Sequence, residues 1–591
     1  MIGPASGSGE AAATWTLMVK VWYANRVRSG TEISFPADSA AERGYVRWGY
    51  PVVLTVLWVA MVVAVNPIGD FPLNDDWAWG SSVKKLCEEH VLTIHGWADA
   101  AVVAQILWGA LFCLPFGFSF TVLRFSTEVL GLATVLATYG LGREVAASRW
   151  LAFLCALAVA TNPLIFESSN TFMTDVPFLA FLLLAVLCFV HSVRTRSWVT
   201  SVLTIPLVLM ATMTRQLGLV IPLLFAVGCI LSRTLGIRSA LVILAAGGLA
   251  YFTSQRFEAW LAATGQLSPN YGRLMKLVLM RLRDPSAYQS ALTVADGLHI
   301  VMIYIGFFCL PLLIALLPLR LRTNLFFTLL GLLAAAAMAW IAWGATHGGQ
   351  NMPFAPGFNL TDLGLGPMTL PDLQFRHLDN WPRAPFGIWD QVTRAGMAGG
   401  VLVVLIAVMS AFELLLRKTV PTAKLTAAVA LGFVAGYGVV LLIMPFDRYF
   451  VPMFPMILLY SAWGAQAPKM ALFRWAWRLL SLVALLGIVA QGVFAVVATH
   501  DYLAWNRARW VALRELTDVD GISPDKIDGG FEFNASHHYG TLGHPDKNPW
   551  VEDDEYMITL GSVRGYRTLR TYPFQRWLAP PSGQIHVLVR E

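Results

Sequence analysis

The chain has 591 residues, of which 57% are hydrophobic and 13% charged, with a mean hydropathy of +0.60. Soluble domains carry about 25% charged residues, so an ordinary soluble globule is excluded. The net charge of +6 and pI near 9.0 do not indicate nucleic acid, because the cations lie mainly in short loops between apolar runs.

In chain order, residues 1–47 come first, Gly/Ala/Ser-rich at their start. They lack the apolar core of a signal peptide and are expected to form a cytoplasmic, partly disordered segment. Apolar runs of about 16–23 residues come next, the length a helix needs to cross a hydrocarbon layer about 30 Å thick. Backbone groups in lipid have no water to bond, so the runs are expected to be helices. The period-2 alternation of a β-barrel is absent. Crossings are predicted at about 48–65, 119–141, 151–166, 172–190, 198–213, 217–232, 239–255, 296–318, 323–344, 396–416, 425–446, 449–467 and 477–498. The division expected is a transmembrane domain over 48–498 and an extracytoplasmic domain over 499–591. That tail opens with a helix-like stretch at 502–516 and ends in a strand-like one at 584–589, the pattern of a small soluble α/β domain. The fold class is therefore an all-α polytopic membrane protein of about 13 helices, plus interfacial helices and that C-terminal domain.

Orientation follows from the cations. Short loops on one side hold 14 of them, at Arg143, Arg149, Arg194, Arg196, Arg233, Arg238, Arg320, Arg322, Arg417, Lys418, Lys424, Lys469, Arg474 and Arg478. Short loops on the other side hold only two, Arg215 and Arg448. The positive-inside rule then puts the N-terminus in the cytoplasm and the tail outside. Counting 98–118 as a crossing would break this pattern, so that run is expected to be interfacial or re-entrant; the alternative is a true crossing compensated elsewhere. The six cysteines are isolated, with neither disulfide nor zinc spacing.

Three outside loops are long: 66–97, 256–295 and 345–395. The third is rich in Gly and Pro (Pro353, Pro356, Gly364, Gly366, Pro367, Pro371), as a lid over a site would be. The first opens with Phe71-Pro72-Leu73-Asn74-Asp75-Asp76-Trp77, where Asn74 or Asp75 is placed to cap an amphipathic helix at the outer surface. Capping uses one acid, and here there are two. Asp175, in Thr174-Asp175-Val176-Pro177, heads a crossing on the same side, where an N-cap role is the simpler reading for it alone. Arg215 and Arg448 are the exceptions to the inside bias, and Arg124 lies near an outer helix end. Charges at that depth are expensive and suggest function; snorkelling, or for Arg448 pairing with Asp447, is the alternative. Carboxylates and guanidiniums on one membrane face suit a lipid-borne phosphate with a base or a metal beside it. His537, His538 and His544 in the tail have no fixed metal geometry.

At these residues the chain resembles the GT-C superfamily of polyprenyl-phosphate-sugar-dependent glycosyltransferases. That superfamily includes the protein O-mannosyltransferases and the lipid A aminoarabinose transferases. The likeness lies in Asn74-Asp75-Asp76-Trp77-Ala78, the interfacial run, Leu123-Arg124, Met173-Thr174-Asp175-Val176-Pro177 and Thr214-Arg215-Gln216-Leu217-Gly218, over roughly 50–470. The tail departs from the known periplasmic domains of this fold. The resemblance implies sugar transfer from a polyprenyl-phosphate carrier in the lipid bilayer to an acceptor (protein, lipid or glycan) on the periplasmic side, by a single inverting displacement. One of Asp75 and Asp76 would be the base, with Asp76 preferred. The other, with Asp175, would orient the acceptor or help hold a divalent metal ion, the tentative ligands being Asp75 and Asp175. Arg215, Arg448, Arg124, Lys84 and Lys85 would meet the phosphate. A polymerase or ligase of lipid-linked oligosaccharide is the main alternative. A secondary transporter fits less well, because the charges gather at one face and not at the bilayer midplane.

Overall fold

The computed structural model describes residues 45–145, 148–273, 287–320, 352–354, 358–371, 386–416, 420–443, 445–463, 471–540 and 550–591 except 552, with scattered positions between. The chain divides into two units, residues 1–52 and 53–591, and the second holds the helical bundle and the C-terminal sheet.

The helices are α1 (Tyr45–Val65), α2 (Asp76–Glu88), α3 (Val103–Phe116), α4 (Phe120–Val145), α5 (Arg149–Ala160), α6 (Pro163–Ser169), α7 (Asp175–Thr195) and α8 (Trp198–Thr214). They continue with α9 (Ile221–Ser232), α10 (Ile237–Ala263), α11 (Ala287–Arg320), α12 (Phe386–Leu416), α13 (Pro421–Ile443), α14 (Met453–Ala462), α15 (Ala471–Arg514) and α16 (Phe531–His538). Among the described residues, eight helices are long and apolar enough to cross a membrane, or nine if α5 and α6 form one broken span. The predicted crossings number more because several are short or interrupted. The α5–α6 pair bends by 58° at Asn162-Pro163. Asn162 Oδ1 accepts the Leu164 and Ile165 N–H groups at 3.0 and 3.2 Å, and Pro163 suits the first helical position, so a new helix starts there. Helix α8 has only 17 residues, α14 only 10, and α9 is preceded by a 3-10 turn at Gln216–Val220. The predicted crossing at 323–344 lies largely outside the described residues.

Outward faces agree with a membrane setting. On α9, Leu223, Val227 and Ile230 form an exposed apolar stripe at helical spacing, and on α10 Leu241, Leu244, Tyr251 and Phe252 are exposed. Such stripes need lipid, not water, around them. Inside, helices approach through small residues: a Cβ on Gly306 of α11 would collide with the Gly396 carbonyl oxygen of α12, so only glycine permits that contact. Helix α3 has 14 residues, or about 21 Å of rise, too short to cross about 30 Å of hydrocarbon.

Helix α15 runs unbroken for 44 residues, so the last predicted crossing and the helix expected at 502–516 are one element. The third outer loop carries a short hairpin of β1 (Leu360–Thr361) and β2 (Gly364–Leu365). Beyond α15 comes a four-stranded sheet of β3 (Ile527–Asp528), β4 (Tyr556–Thr559), β5 (Tyr566–Gln575) and β6 (Ser582–Arg590). The order is β3-β4-β6-β5, with β3 parallel to β4 and the other pairs antiparallel. The strand expected near the chain end is β6.

Candidate active site

The acid pair opens α2, as its sequence suggests, but neither carboxylate caps that helix. Asp75 occupies the N-cap position without a side-chain capping bond. Its Oδ1 instead accepts the Trp97 indole N–H at 2.9 Å, and its Oδ2 meets Arg448 Nη1 at 3.2 Å. Asp175, whose simpler reading taken alone is an N-cap, is the first residue of α7 after the N-cap Thr174. Its Oδ1 accepts from Arg215 Nη2 at 2.7 Å, while Arg215 Nε donates to Thr174 Oγ1 at 2.9 Å.

These two ion pairs share one aromatic ring. The Arg215 and Arg448 guanidinium carbons lie 5.5 and 5.6 Å from the Tyr449 ring centre. Both arginine side chains keep 15% exposure, and Arg448 Nε has no hydrogen-bond partner among the described residues. Arg215 reaches this position because the chain leaves α8 in an extended conformation and turns tightly, with Gly218 packed on the Thr212 backbone where no side chain fits. Arg448 does not pair with Asp447. The Asp447 carboxylate accepts the N–H groups of Asn359, Leu360 and Arg448 at 3.0, 2.8 and 2.8 Å, fixing the third outer loop to the Arg448 turn. The stretch of that loop at 358–371 is almost wholly buried, anchored against the bundle.

Asp99 was not singled out by sequence reasoning, since it stands at the head of an apolar run. Its side chain is exposed, with protein close around it. Loss of bulk water raises its pKa; Arg215 and Arg448 oppose that shift and Asp75 adds to it, which puts all four groups in one electrostatic neighbourhood. The second outer loop supports this stretch: Gly272 N–H donates to the Asp99 carbonyl at 2.9 Å and Ser268 Oγ to the Gly96 carbonyl at 2.7 Å. Non-glycine residues Asn74 (φ 54°) and Val102 (φ 49°) hold left-handed backbone on either side, a strain typical of functional sites.

The other expected site residues have different surroundings. Asp76 faces away from the arginine pairs and is fully buried, its Oδ1 accepting the Phe172 N–H at 2.9 Å and its Oδ2 without a partner among the described residues. Burial raises its pKa to about 7 despite that N–H and the nearby Arg124. It is thus placed to hold the turn before Asp175, and Asp75 is the member of the pair that faces the cations. Arg124 is also fully buried, spending its guanidinium on the carbonyls of Pro67 and Gly69 at 3.0 and 2.7 Å, on that of Phe71, and on the Phe71 ring. It clamps the first outer loop. Lys84 and Lys85 are exposed, about 13 Å of helical rise from the acid pair. As for a metal held by Asp75 and Asp175, each carboxylate faces an arginine. Among the described residues no three His, Cys, Asp or Glu side chains converge on a common point.

Fold and site together define a polytopic α-helical membrane protein whose charged groups converge at helix ends. Residues 104–264, which carry Arg124, Asp175 and Arg215, match the family model of dolichyl-phosphate-mannose-protein mannosyltransferases. That match, over less than a third of the chain, agrees with the resemblance to GT-C glycosyltransferases. Among solved structures, the chain is similar to ArnT from Cupriavidus metallidurans bound to undecaprenyl phosphate, at 13% identity and a TM-score of 0.35 over 83% of this chain and 84% of that one. It is also similar to the Archaeoglobus fulgidus oligosaccharyltransferase tethered to an acceptor peptide, at 14% identity and a TM-score of 0.41 over 77% and 55%. No curated protein gives a significant sequence match.

Proposed function

We propose that the chain transfers a sugar from a polyprenyl-phosphate carrier to an acceptor hydroxyl on the extracytoplasmic face of the plasma membrane, with inversion at the anomeric carbon. The observation that carries this is the double ion pair on Tyr449: two partly accessible guanidiniums, each held by a carboxylate, at the outer ends of α8 and α13. Planar guanidiniums suit a phosphate that gains charge as it departs. Asp75 takes the acceptor proton as the acceptor oxygen bonds to the anomeric carbon. The glycosyl C–O bond to phosphate breaks, and its electron pair leaves on the phosphate oxygen, facing Arg215 and Arg448. Asp175 orients Arg215, Asp99 faces the acceptor side of the same cluster, and Asp76 holds the backbone around Phe172.

The test uses the full chain in nanodiscs with polyprenyl-phosphate-linked pentose and hexose donors. Undecaprenyl phosphate binding is measured in parallel. Transfer from at least one donor is expected, with phosphate-lipid binding weakened in Arg215→Ala and Arg448→Ala. Unchanged lipid binding in both variants would remove the phosphate assignment.

A further inference from the structure

We infer that Glu532 of the tail is a positioning residue for the Asp75–Asp76 turn, which makes the C-terminal region a working part of the active site. The inference rests on the reading of Asp75 as the base. Glu532 lies in α16, fully buried. Its Oε2 accepts from Arg509 Nη1 of α15 at 2.8 Å, and its Oε1 accepts the Asn74 N–H at 2.9 Å. Asn74 is the residue immediately before the acid pair, and its left-handed backbone turns the chain into α2.

The same arginine gathers the surrounding segments. Arg509 donates from Nε to the Gly529 carbonyl at 3.0 Å and from Nη1 to Thr369 Oγ1 of the third outer loop at 3.3 Å. The Thr369 carbonyl in turn accepts the Phe531 N–H at 2.9 Å. A second contact reaches Asp75 from the tail. Trp97, whose N–H holds Asp75 Oδ1, packs its ring 6.0, 5.9 and 5.6 Å from Phe531, Tyr539 and Trp550. Both the backbone before Asp75 and the indole on its carboxylate are therefore set by tail residues.

A buried ion pair is seldom the most stable way to fill such a space, since apolar residues of equal volume do as well or better. What a carboxylate adds is a directed acceptor for one N–H. Placement errors of about 1 Å at a reacting group cost up to roughly 100-fold in rate, so a fixed turn at Asn74 has catalytic value.

The experiment compares Glu532→Ala, Glu532→Gln and the wild type in nanodiscs, reading kcat, donor KM and hydrogen exchange. In Glu532→Ala, kcat is expected to fall on the order of 100-fold with donor KM within about 2-fold, because Arg215 and Arg448 are untouched. Glu532→Gln keeps an oxygen for Asn74 and is expected to recover most of kcat. Exchange in peptides covering 70–80 should rise in the Ala variant while β4 and β6 stay protected. Unchanged kcat and unchanged exchange at 70–80 would overturn the inference; so would equal loss of protection across the tail strands, which would mark a folding role only. Where the Ala variant does not fold, Glu532→Asp, one methylene short of Asn74 but still charged towards Arg509, carries the same expectation. The exchange readout needs no substrate, so it judges the positioning role even if Asp75→Asn turns over normally and the base assignment fails.

Discussion

Two arginine–carboxylate sets lie on either side of the acid loop, and they differ in access. In Arg215–Asp175 and Arg448–Asp75 the arginines are 15% exposed and lie over one tyrosine ring. In Arg509–Glu532 both side chains are 0% exposed and the guanidinium is further tied to Gly529, Thr369 and Asn506. Under the proposed function, the first set exchanges a carboxylate partner for an incoming anion. The second is sealed, and its charges fix backbone. Arg124 belongs with the sealed kind although it lies nearer the open one in sequence, because it is fully buried and both its Nη atoms donate to loop carbonyls.

The largest expected effect breaks the sealed pair. Arg509→Met leaves Glu532 buried without its cation and should destabilise the folded protein by about 3–5 kcal/mol; thermal unfolding in detergent reads this, and a loss under about 1 kcal/mol would mean water reaches the pair. At the open set the effect falls on chemistry. Asp75→Asn should keep fold and lipid binding while turnover drops at least about 100-fold, the usual contribution of a general base. Turnover near the wild-type level would return the base role to Asp76.

Arg215→Ala and Arg448→Ala should each weaken undecaprenyl phosphate binding by about 2 kcal/mol, as loss of a charge-assisted bond does. Lys restores part of this, since charge survives without the planar fork. Arg124→Lys, by contrast, should leave lipid affinity unchanged and lower only stability, which separates the clamp from the proposed phosphate ligands.

The smallest effect concerns pH. Asp76 has a folded-state pKa raised to about 7 by burial, above its ordinary 3.8. The folded state therefore binds the proton more tightly than the unfolded one. Its contribution to stability is greatest at acid pH, declines as pH rises from about 4 to about 7, and levels off above that. Asp76→Asn should lose this slope, so that its unfolding temperature at pH 8 equals or exceeds the wild-type value; a steeper slope in the variant would contradict the assignment.

The sequence by itself determined the membrane class and most helix positions, because lipid imposes a length of about 20 apolar residues on each span and that constraint is local. It also marked Asp75, Asp175, Arg215 and Arg448, since charge at a membrane edge is costly enough to stand out against an apolar chain. Tertiary structure alone decided which charges meet. Asp75 and Asp76 are adjacent, yet one turns to Arg448, 373 residues away, and the other to the Phe172 N–H. Asp447 sits beside Arg448 but holds loop N–H groups, and Asn74 finds Glu532 across 458 residues. Pairing inside a folded protein follows distance and desolvation in three dimensions, and neither is written in the spacing of residues along the chain.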